Sequence, residues 1–382
     1  MIEVLRAGAL TTVQDLGRKG LRHLGVTAGG ALDPVSLVLA NRLVGNPRGA
    51  ACLEFGTPNA RLRFEADGFV ALCGADCRIE LDGEPLRTWW RFPVRAGQTL
   101  ALKPPPFPGG EDAKRFPPPR GAIVYLAVAG GIDVPPVMGS RATDLKSGFG
   151  GFEGRALRNG DRLAVGAPSE GMLENRRRYG IRPPSWLDAA VPGADGTLDG
   201  PLTLRVLQGS EYTDFNAESH RRFWSETWSI SSQSNRMALR LVGGEGPPLA
   251  RKKNRSEDLL SHGVLPGVIQ VPPAGLSIVL MADAQTTGGY PKIGVVITAD
   301  LPRLAQARAG SRLRFVPCEL PDAYEALERE ARSSRWKAPS NGPETSHTWP
   351  GLAPNPAAAG LHGRRMTSKQ RVRTNKLRSL TI

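Results

Sequence analysis

One short polar segment, TTGGYPK, combines the residue types best suited to chemistry in this sequence. It contains two threonines, two glycines, a tyrosine and a lysine: Thr286, Thr287, Gly288, Gly289, Tyr290 and Lys292. Hydroxyl groups, open backbone amides and a cation are what an acyl or phosphoryl oxygen needs as negative charge develops on it. Because the apolar run IGVVI follows, Lys292 is predicted either to protect an edge strand or to point into a cleft. The neighbouring hydroxyls and phenol favour the cleft.

Two further polar clusters stand beside glycines. The run TTVQDLGRKG, residues 11–20, crowds Gln14, Asp15 and Arg18 into five positions, a pattern that also fits a charged β-turn. The run GSRATD, residues 139–144, can form a backbone nest in which an arginine, Arg141, binds a carboxylate or phosphate. A purely structural loop has the same composition. Both clusters are therefore candidate sites with a structural alternative.

Several common catalytic and cofactor signatures are absent from the sequence. It has no P-loop and no G-x-S-x-G element. The glycine-rich run at residues 148–154 lacks the preceding strand and following helix of a dinucleotide fingerprint. Cys73 and Cys77 have neither a second cysteine pair nor a nearby histidine, so we predict no metal site.

The charge and hydropathy patterns indicate whether the protein binds nucleic acid or a membrane. Of the net charge of +14, a large part lies at the end of the chain, where residues 331–382 carry ten Lys/Arg and one acid. Such a tail can touch nucleic acid, but an extension without function is the simpler interpretation. The N-terminus has no signal-peptide pattern, and no run of 18 apolar residues occurs. We therefore predict a cytoplasmic protein without a membrane span.

Turn residues predict the fold class. The 45 glycines and 33 prolines separate short apolar runs about every ten residues, which is typical of a mainly β protein. One helix is predicted after Asp33, which can cap it, with Pro34 at its first position and Gly45 past its end. The pair Asn159-Gly160 predicts a β-hairpin turn. A second helix is predicted over residues 322–332.

Composition divides the chain into four segments. We predict an N-terminal β domain at residues 1–167, a linker at 168–200, a C-terminal β domain at 201–331 and a basic, disordered tail at 332–382. The linker is rich in proline, glycine and arginine. The two β domains show the same style of short strands with one or two helices, and we predict that both are barrel-like.

Long motifs resemble one protein family. The runs GALTTVQDLGRKGLRHLGVTAGGALDPVSLVLANRLVGN, YLAVAGGIDVPPVMGSRATD, SNRMALRL and DAQTTGGYPKIGVVITADLPRLAQ are similar, in this order, to the biotin-dependent carboxyltransferase domain family. That family includes KipA, also called allophanate hydrolase subunit 2, and the C component of 5-oxoprolinase. The resemblance extends over residues 2–329. It implies two cyclophilin-like β-barrel domains with a few short helices.

The resemblance also implies a function and partners. It implies the C component of an ATP-dependent 5-oxoprolinase, which opens 5-oxo-L-proline to L-glutamate together with a KipI-like B component and a LamB/YcsF-like A component. The ATP site lies on this chain or on a partner. One alternative is the carboxyltransferase component of a urea-carboxylase-like system, with biotin on another chain. The other is a non-enzymatic, KipA-like regulator that binds a kinase-inhibitor protein.

The matching positions of the family motifs give the predicted site residues. We expect Lys292 and Arg236 to stabilise developing negative charge, Tyr290 and Thr287 to hydrogen-bond the amide, and Asp15 to accept from the ring nitrogen. The predicted catalytic residues are Lys292, Tyr290, Arg236 and Asp15. The predicted substrate-binding residues are Gln14, Arg18, Arg141, Gln270, Thr286, Thr287, Gly288 and Gly289.

Two positions depart from the usual family motifs. The usual S-D-R-M-G is here S-N-R-M-A, with Asn235 in place of the aspartate, and the usual S-E-G-V is S-H-G-V, with His262 in place of the glutamate. Each change removes a carboxylate. The departures predict a diverged substrate or a weakened enzyme.

Overall fold

A computed structural model describes residues 1–104, 120–170, 178–188, 200–243, 246–253, 259–333 and 346–347. The mainly β fold with a few short helices predicted from the sequence is confirmed. The predicted tail at 332–382 lies outside the described residues, apart from the end of the last helix and the pair 346–347. In the part of the chain that the structure covers, no helix is both long and apolar enough to cross a membrane.

The strands of the first half form two sheets. They are β1 (Ile2–Arg6), β2 (Ala9–Gln14), β3 (Cys52–Thr57), β4 (Ala60–Phe64), β5 (Gly68–Gly74), β6 (Arg78–Leu81), β7 (Glu84–Leu86), β8 (Trp90–Val94), β9 (Thr99–Lys103), β10 (Val124–Val128), β11 (Arg162–Leu163) and β12 (Tyr179–Ile181). One sheet has the order β11-β1-β4-β9-β6-β7. The other runs β2-β3-β10-β5-β8-β12 and ends on the short strand Ser346–His347.

The two sheets enclose one hydrophobic core, because their strands alternate in burial. In β4, Ala60, Leu62 and Phe64 are buried, whereas Arg61 and Arg63 are exposed. All five residues of β10 are buried instead, as expected for a strand covered on both faces. Its second face is covered by helix α1 (Pro34–Leu43), which builds a second core on the outside of the seven-stranded sheet.

Helix α1 begins as its sequence predicts. The carboxylate of Asp33 accepts a hydrogen bond from the backbone N–H of Ser36 at 3.0 Å, and Pro34 occupies the first turn. The chain leaves the helix through Gly45, whose positive φ of 71° suits glycine. The helix predicted from these residues is confirmed.

The β-hairpin predicted at Asn159-Gly160 is wrong. Only β11 follows this turn, and it pairs with β1 instead of with a preceding strand of its own. The turn itself is tied to the first strands, since the Asn159 side chain accepts from the backbone N–H of Ala7 at 3.0 Å and the Gly160 N–H donates to the Val4 carbonyl at 2.7 Å. Long-range pairing with an existing sheet edge therefore overrides the local hairpin signal.

Part of the segment predicted as a linker also joins the first sheets. Strand β12 pairs with β8, and a short helix, α2 (Ser185–Asp188), follows it. The hydroxyl of Tyr179 donates to the carbonyl of Leu43 at 3.0 Å and so ties β12 to the end of α1. The apolar residues Tyr179 and Ile181 are buried in the core beside α1.

The second half contains a closed barrel of seven strands. Its elements are β13 (Leu202–Gln208), α3 (Ala217–Ser225), β14 (Trp228–Ile230), β15 (Ala238–Val242), β16 (His262–Gly263), β17 (Val268–Gln270), β18 (Ile278–Leu280), β19 (Thr287–Gly288), β20 (Lys292–Val296), α4 (Leu301–Ala305), β21 (Arg312–Pro317) and α5 (Leu320–Ser333), with β22 (Ser346–His347) in the other sheet. The barrel order is β13-β20-β17-β18-β15-β14-β21, closed by the parallel pair β13–β21. The predicted helix at 322–332 is confirmed as α5.

Strands β16 and β19 form a separate two-stranded sheet beside the barrel. His262 lies opposite Gly288, and Gly263 lies opposite Thr287. This small sheet therefore presents the TTGG segment next to the start of β20, where Lys292 lies.

A buried glutamine joins the two halves. Gln306, fully buried just after α4, accepts from the backbone N–H groups of Ala122 and Ile123 at 2.9 and 3.0 Å. Its amide nitrogen donates to the Asp33 carboxylate at 2.8 Å and to the Ile123 carbonyl at 3.1 Å. One side chain thus satisfies four polar groups of the other domain.

We expect the change Gln306→Ala to destabilise the protein by about 3 kcal/mol, because it leaves several buried donors and acceptors of the first domain without partners. Denaturant unfolding of both forms measures the difference. Gln98, on a turn where its hydrogen bonds are exposed, is the matched control, and Gln98→Ala should cost less than about 0.5 kcal/mol. Equal losses in the two variants would contradict the joining role of Gln306.

Candidate active site

The two polar clusters of the N-terminal half form one site in the structure. The Asp15 carboxylate accepts from the Ser140 hydroxyl at 2.6 Å and from the backbone N–H groups of Arg141 at 2.6 Å and Gly17 at 2.7 Å. These three donors fix the loop 139–144 against the end of β2. Asp15 is buried, and with three local donors it acts first as a clamp between the two loops.

Gln14 and Arg141 end up in different surroundings within this site. The Gln14 amide nitrogen donates to Thr12 at 3.0 Å and to the Thr143 carbonyl at 3.3 Å, while its buried oxygen has no hydrogen-bond partner among the described residues. The Arg141 guanidinium turns away, donating to the Val134 carbonyl at 2.7 Å and to Asp133 at 3.3 Å. Only its backbone amide meets Asp15.

Arg18 is the most enclosed cation of the cluster. Its side chain is fully buried, donates to the Ala142 carbonyl and lies over the Phe149 ring, 4.6 Å from the centroid. Its Nε and one terminal nitrogen have no partner among the described residues. Burial lowers the pKa of Arg18, and the nearby carboxylates, Asp144 foremost, oppose that effect.

Arg236 enters the first domain from the barrel. Its guanidinium binds Asp283 in a bidentate pair at 2.8 and 2.9 Å, donates to the Gly30 carbonyl at 2.7 Å and contacts Glu54. Burial works against its charge, but Glu54 and Asp283 outweigh burial and raise the pKa of Arg236. The donors of Arg236 are thus engaged by protein groups, so a direct role on substrate stays a prediction.

Lys292 forms a second site, at the start of β20. Its side chain is 3% exposed, and its Nζ lies 2.6 Å from His262 Nε2, 3.0 Å from the Gly288 carbonyl and 3.9 Å from Glu211. Burial lowers the pKa of Lys292, while the Glu211 carboxylate opposes that effect. A poorly hydrated amine beside the small β16–β19 sheet is suited to electrostatic or acid–base chemistry.

Of the other predicted residues of the TTGGYPK segment, Gly288 contacts this amine through its carbonyl. Thr287 and Tyr290 are exposed, Tyr290 by 46%, and Thr286 contributes its backbone carbonyl to Val264 N–H at 3.0 Å. Gln270 is buried opposite Lys292, with only long contacts of 3.5 Å to the Tyr290 carbonyl and the Gln285 amide.

Gly288 and Gly289 lie close to protein atoms of the barrel domain, while their predicted role in approaching a ligand stays a prediction. A Cβ on Gly288 would lie 2.5 Å from the Gln270 amide nitrogen, and one on Gly289 would lie 3.1 Å from the Leu259 carbonyl. The first distance would force the Gln270 side chain to shift, and the second would require a small shift of the Leu259 backbone. The glycines therefore allow the TTGG segment to pack closely against the barrel domain.

Sequence reasoning missed several residues that complete the two sites. Glu54 and Asp283 hold Arg236, Glu211 faces Lys292, and Arg22 donates from the first domain to backbone carbonyls of the barrel domain. His262 was noted only as a departure from a motif. Glu54 and Asp283 sit in runs whose residue types were visible, but their meeting with Arg236 needs the fold, since 182 positions separate Glu54 from it.

Ligand-type side chains do not gather into a metal site in the described ranges: no group of three or more His, Cys, Asp or Glu is arranged to hold an ion there. The four cysteines are free thiols.

Comparison with known proteins gives consistent matches over most of the chain. A family model described as the carboxyltransferase domain, subdomain A and B, matches residues 24–317. The C component of 5-oxoprolinase from Escherichia coli (strain K12) is 45% identical over 332 residues, covering 87% of this chain and 96% of that protein. The C component of 5-oxoprolinase from Haemophilus influenzae is 38% identical over 323 residues, covering 85% and 93%.

A solved structure shares the fold. The crystal structure of the Kluyveromyces lactis urea amidolyase matches with a TM-score of 0.71 and 27% identity, covering 87% of this chain. The chain spans only about one fifth of that larger protein, 20% of its length.

We expect the change Arg236→Met to destabilise the protein by about 3–5 kcal/mol, because Glu54 and Asp283 lose the cation that compensates their buried charges. Denaturant unfolding measures this loss. Arg240→Met, at an exposed position of β15, is the matched control and should stay within about 0.5 kcal/mol of the parent. Adding Asp283→Asn to Arg236→Met should restore part of the stability, and no recovery would argue against a charge effect.

Proposed function

Since the chain belongs to the carboxyltransferase domain family, we propose that it is the C component of an ATP-dependent 5-oxoprolinase. In this proposal it acts with other subunits to open 5-oxo-L-proline to L-glutamate. The main support for the proposal is the 45% identity to a 5-oxoprolinase C component, in a match that covers 96% of that protein. The buried amine of Lys292 and the exposed hydroxyls of Thr287 and Tyr290 are groups that can bind the carbonyl oxygen of a lactam.

Lys292 has the central role in the proposed reaction. A lactam carbonyl is a poor electrophile, and its oxygen gains negative charge when the carbon is attacked. Because the amino group of Lys292 is buried, its ammonium form is weakly hydrated and interacts strongly with a nearby oxyanion. In our proposal this ammonium stabilises the lactam oxygen, and the attack by water becomes easier.

In this proposal, the exposed residues Thr287 and Tyr290 orient the ring of 5-oxoproline. Thr287 and Tyr290 face solvent on the segment that covers Lys292, so their hydroxyls can reach a small cyclic amide. Hydrogen bonds of this kind fix the carbonyl toward the amine, which lowers the entropic part of the barrier. Asp15 and Arg236 belong to the other cluster, where they hold the loops and domains that support this surface.

The described residues do not fit the triphosphate of ATP. Arg236 is closed by two carboxylates and Arg18 is fully buried. In the part of the chain that the structure covers, no strand leads through a glycine-rich loop into a helix in the manner of a phosphate site. We therefore propose that a partner protein binds ATP, either the KipI-like B component or the LamB/YcsF-like A component. In this proposal the residues of this chain take no part in a step that involves ATP.

A carboxyltransferase function is the second candidate. The likeness to the urea amidolyase structure, with a TM-score of 0.71, favours it. Urea and a lactam are both small planar amides, so the same amine and hydroxyls could hold either. In that case biotin would be carried by another chain, because this sequence has no biotinylation motif of the A-M-K-M kind.

We expect co-expression of this chain with candidate A and B components to give formation of ADP and glutamate that depends on 5-oxoproline. The change Lys292→Ala should lower kcat by about 10²-fold or more, because the charge that stabilises the oxyanion is lost. Coupled assays for ADP and glutamate measure the effect.

The control for this experiment is Lys252→Ala, at an exposed lysine of the same domain, which should retain full turnover. A stable complex that turns over urea with biotin, but not 5-oxoproline, would establish the second candidate instead. A complex that forms with a kinase-inhibitor-type protein and catalyses neither reaction would support the regulatory alternative and contradict both enzymatic ones.

A further inference from the structure

The imidazole of His262 contacts an amine and a carboxylate through the same nitrogen. His262 Nε2 lies 2.6 Å from Lys292 Nζ and 3.2 Å from the Glu211 carboxylate. Glu211 also accepts from the backbone N–H of Lys292 at 2.9 Å, which fixes the carboxylate beside the amine. The three side chains come from β16, β20 and the turn after β13, so the small β16–β19 sheet and the barrel together bring them into contact.

One nitrogen cannot serve both contacts in the same protonation state. When Nε2 carries no proton, it accepts a hydrogen bond from the Lys292 ammonium. When Nε2 carries a proton, it donates to Glu211 or to a neutral Lys292 amine. A 2.6 Å contact excludes full protonation of both groups, because two cations would then face each other without an acceptor. The geometry therefore places one shared proton between the two nitrogens.

The two partners differ sharply in their access to water. The Lys292 side chain is 3% exposed, whereas the His262 side chain is 43% exposed. Among the charged groups of the described residues, Glu211 is the one that acts on Lys292, and the Gly288 carbonyl is its neutral acceptor. A proton that moves between Lys292 and bulk water thus has a direct route through the imidazole.

We propose that His262 is the proton-exchange partner of Lys292 and that Glu211 positions both groups. Lys292 gives the proton of its Nζ to the nitrogen that leaves when an amide C–N bond breaks, and that nitrogen keeps the electron pair of the bond. Nε2 of neutral His262, which carries no proton while it faces the ammonium, then takes the proton that the attacking water has released to the solvent. It passes this proton to the neutral amine, so that the ring returns to its neutral form. The turnover part of this inference rests on the proposed function, whereas the shared proton does not.

The first experiment measures the Lys292 amine directly on the full chain. Competitive acetylation with acetic anhydride between roughly pH 5 and 11, quantified by mass spectrometry, gives the reactive fraction of each lysine, with exposed Lys252 as internal reference. We expect the reactivity of Lys292 to rise in two steps in the parent chain. The change His262→Gln should leave one step. The change Glu211→Gln should move the rise to lower pH, because the carboxylate that raises the pKa of Lys292 is lost.

The matched control is His220→Gln. His220 lies in the same domain, and its Nε2 contacts the Tyr212 carbonyl at 2.7 Å instead of an amine. This variant should keep both steps. A single step in the parent chain, or two steps that persist in His262→Gln, would overturn the shared proton. Thermal unfolding of each variant verifies that the domain remains folded.

The second experiment uses the reconstituted complex. We expect His262→Ala to lower kcat by about 10²-fold with little change in KM, and added imidazole to restore part of it, since the site is open to water at this residue. Normal turnover in His262→Ala, while Lys292→Ala is inactive, would overturn the exchange role. Two-step labelling in a complex inactive toward 5-oxoproline would support the shared proton and contradict only the proposed substrate.

Discussion

The guanidinium of Arg236 joins the two halves of this protein at a largely buried polar contact. It extends from the barrel domain, where Asp283 binds it, to Glu54 and the Gly30 carbonyl of the first domain. Separating the domains would take this cation away from Glu54 and from the Gly30 carbonyl. Arg236 binds both carboxylate oxygens of Asp283, and this bidentate pair fixes the orientation of the guanidinium as well as compensating its charge. The relative position of the domains therefore depends on this side chain together with Gln306 and Arg22.

From Arg236 a buried network continues through the first domain and returns to the second. Glu54 accepts from the Tyr125 hydroxyl at 2.6 Å, and that hydroxyl accepts from the backbone N–H of Asp33 at 2.9 Å. The Asp33 carboxylate then accepts from Gln306, which follows α4 of the barrel domain. Burial raises the pKa of Asp33, and the hydrogen bonds from Ser36 and Gln306 oppose that effect. Asp33 thus has two roles, because it caps the start of α1 and also accepts a hydrogen bond across the domain interface.

The segment from Asp283 to Lys292 links this interface to the candidate active site. Its first residue binds Arg236, the Gln285 carbonyl accepts from Arg22, and its last residue carries the enclosed amine. Anchoring at both ends explains why a strand-like stretch opens with hydroxyls and glycines. Those residues form the short sheet with β16 and cannot pair within the barrel itself. The same scaffold occurs within the much longer urea amidolyase of K. lactis.

The fold class, the α1 and α5 helices and the segment that carries Lys292 could all be predicted from the sequence. These features follow from turn spacing, capping residues and periodicity, which act over a few neighbouring positions. Asp15 and Ser140 were also visible as polar candidates, but only the fold made them one site, because 125 positions separate them. The tertiary structure alone decided that Arg236 is held by carboxylates, that Asn159-Gly160 extends a sheet edge and that His262 meets Lys292. Each of these depends on burial and on contacts between distant strands, which no local pattern encodes.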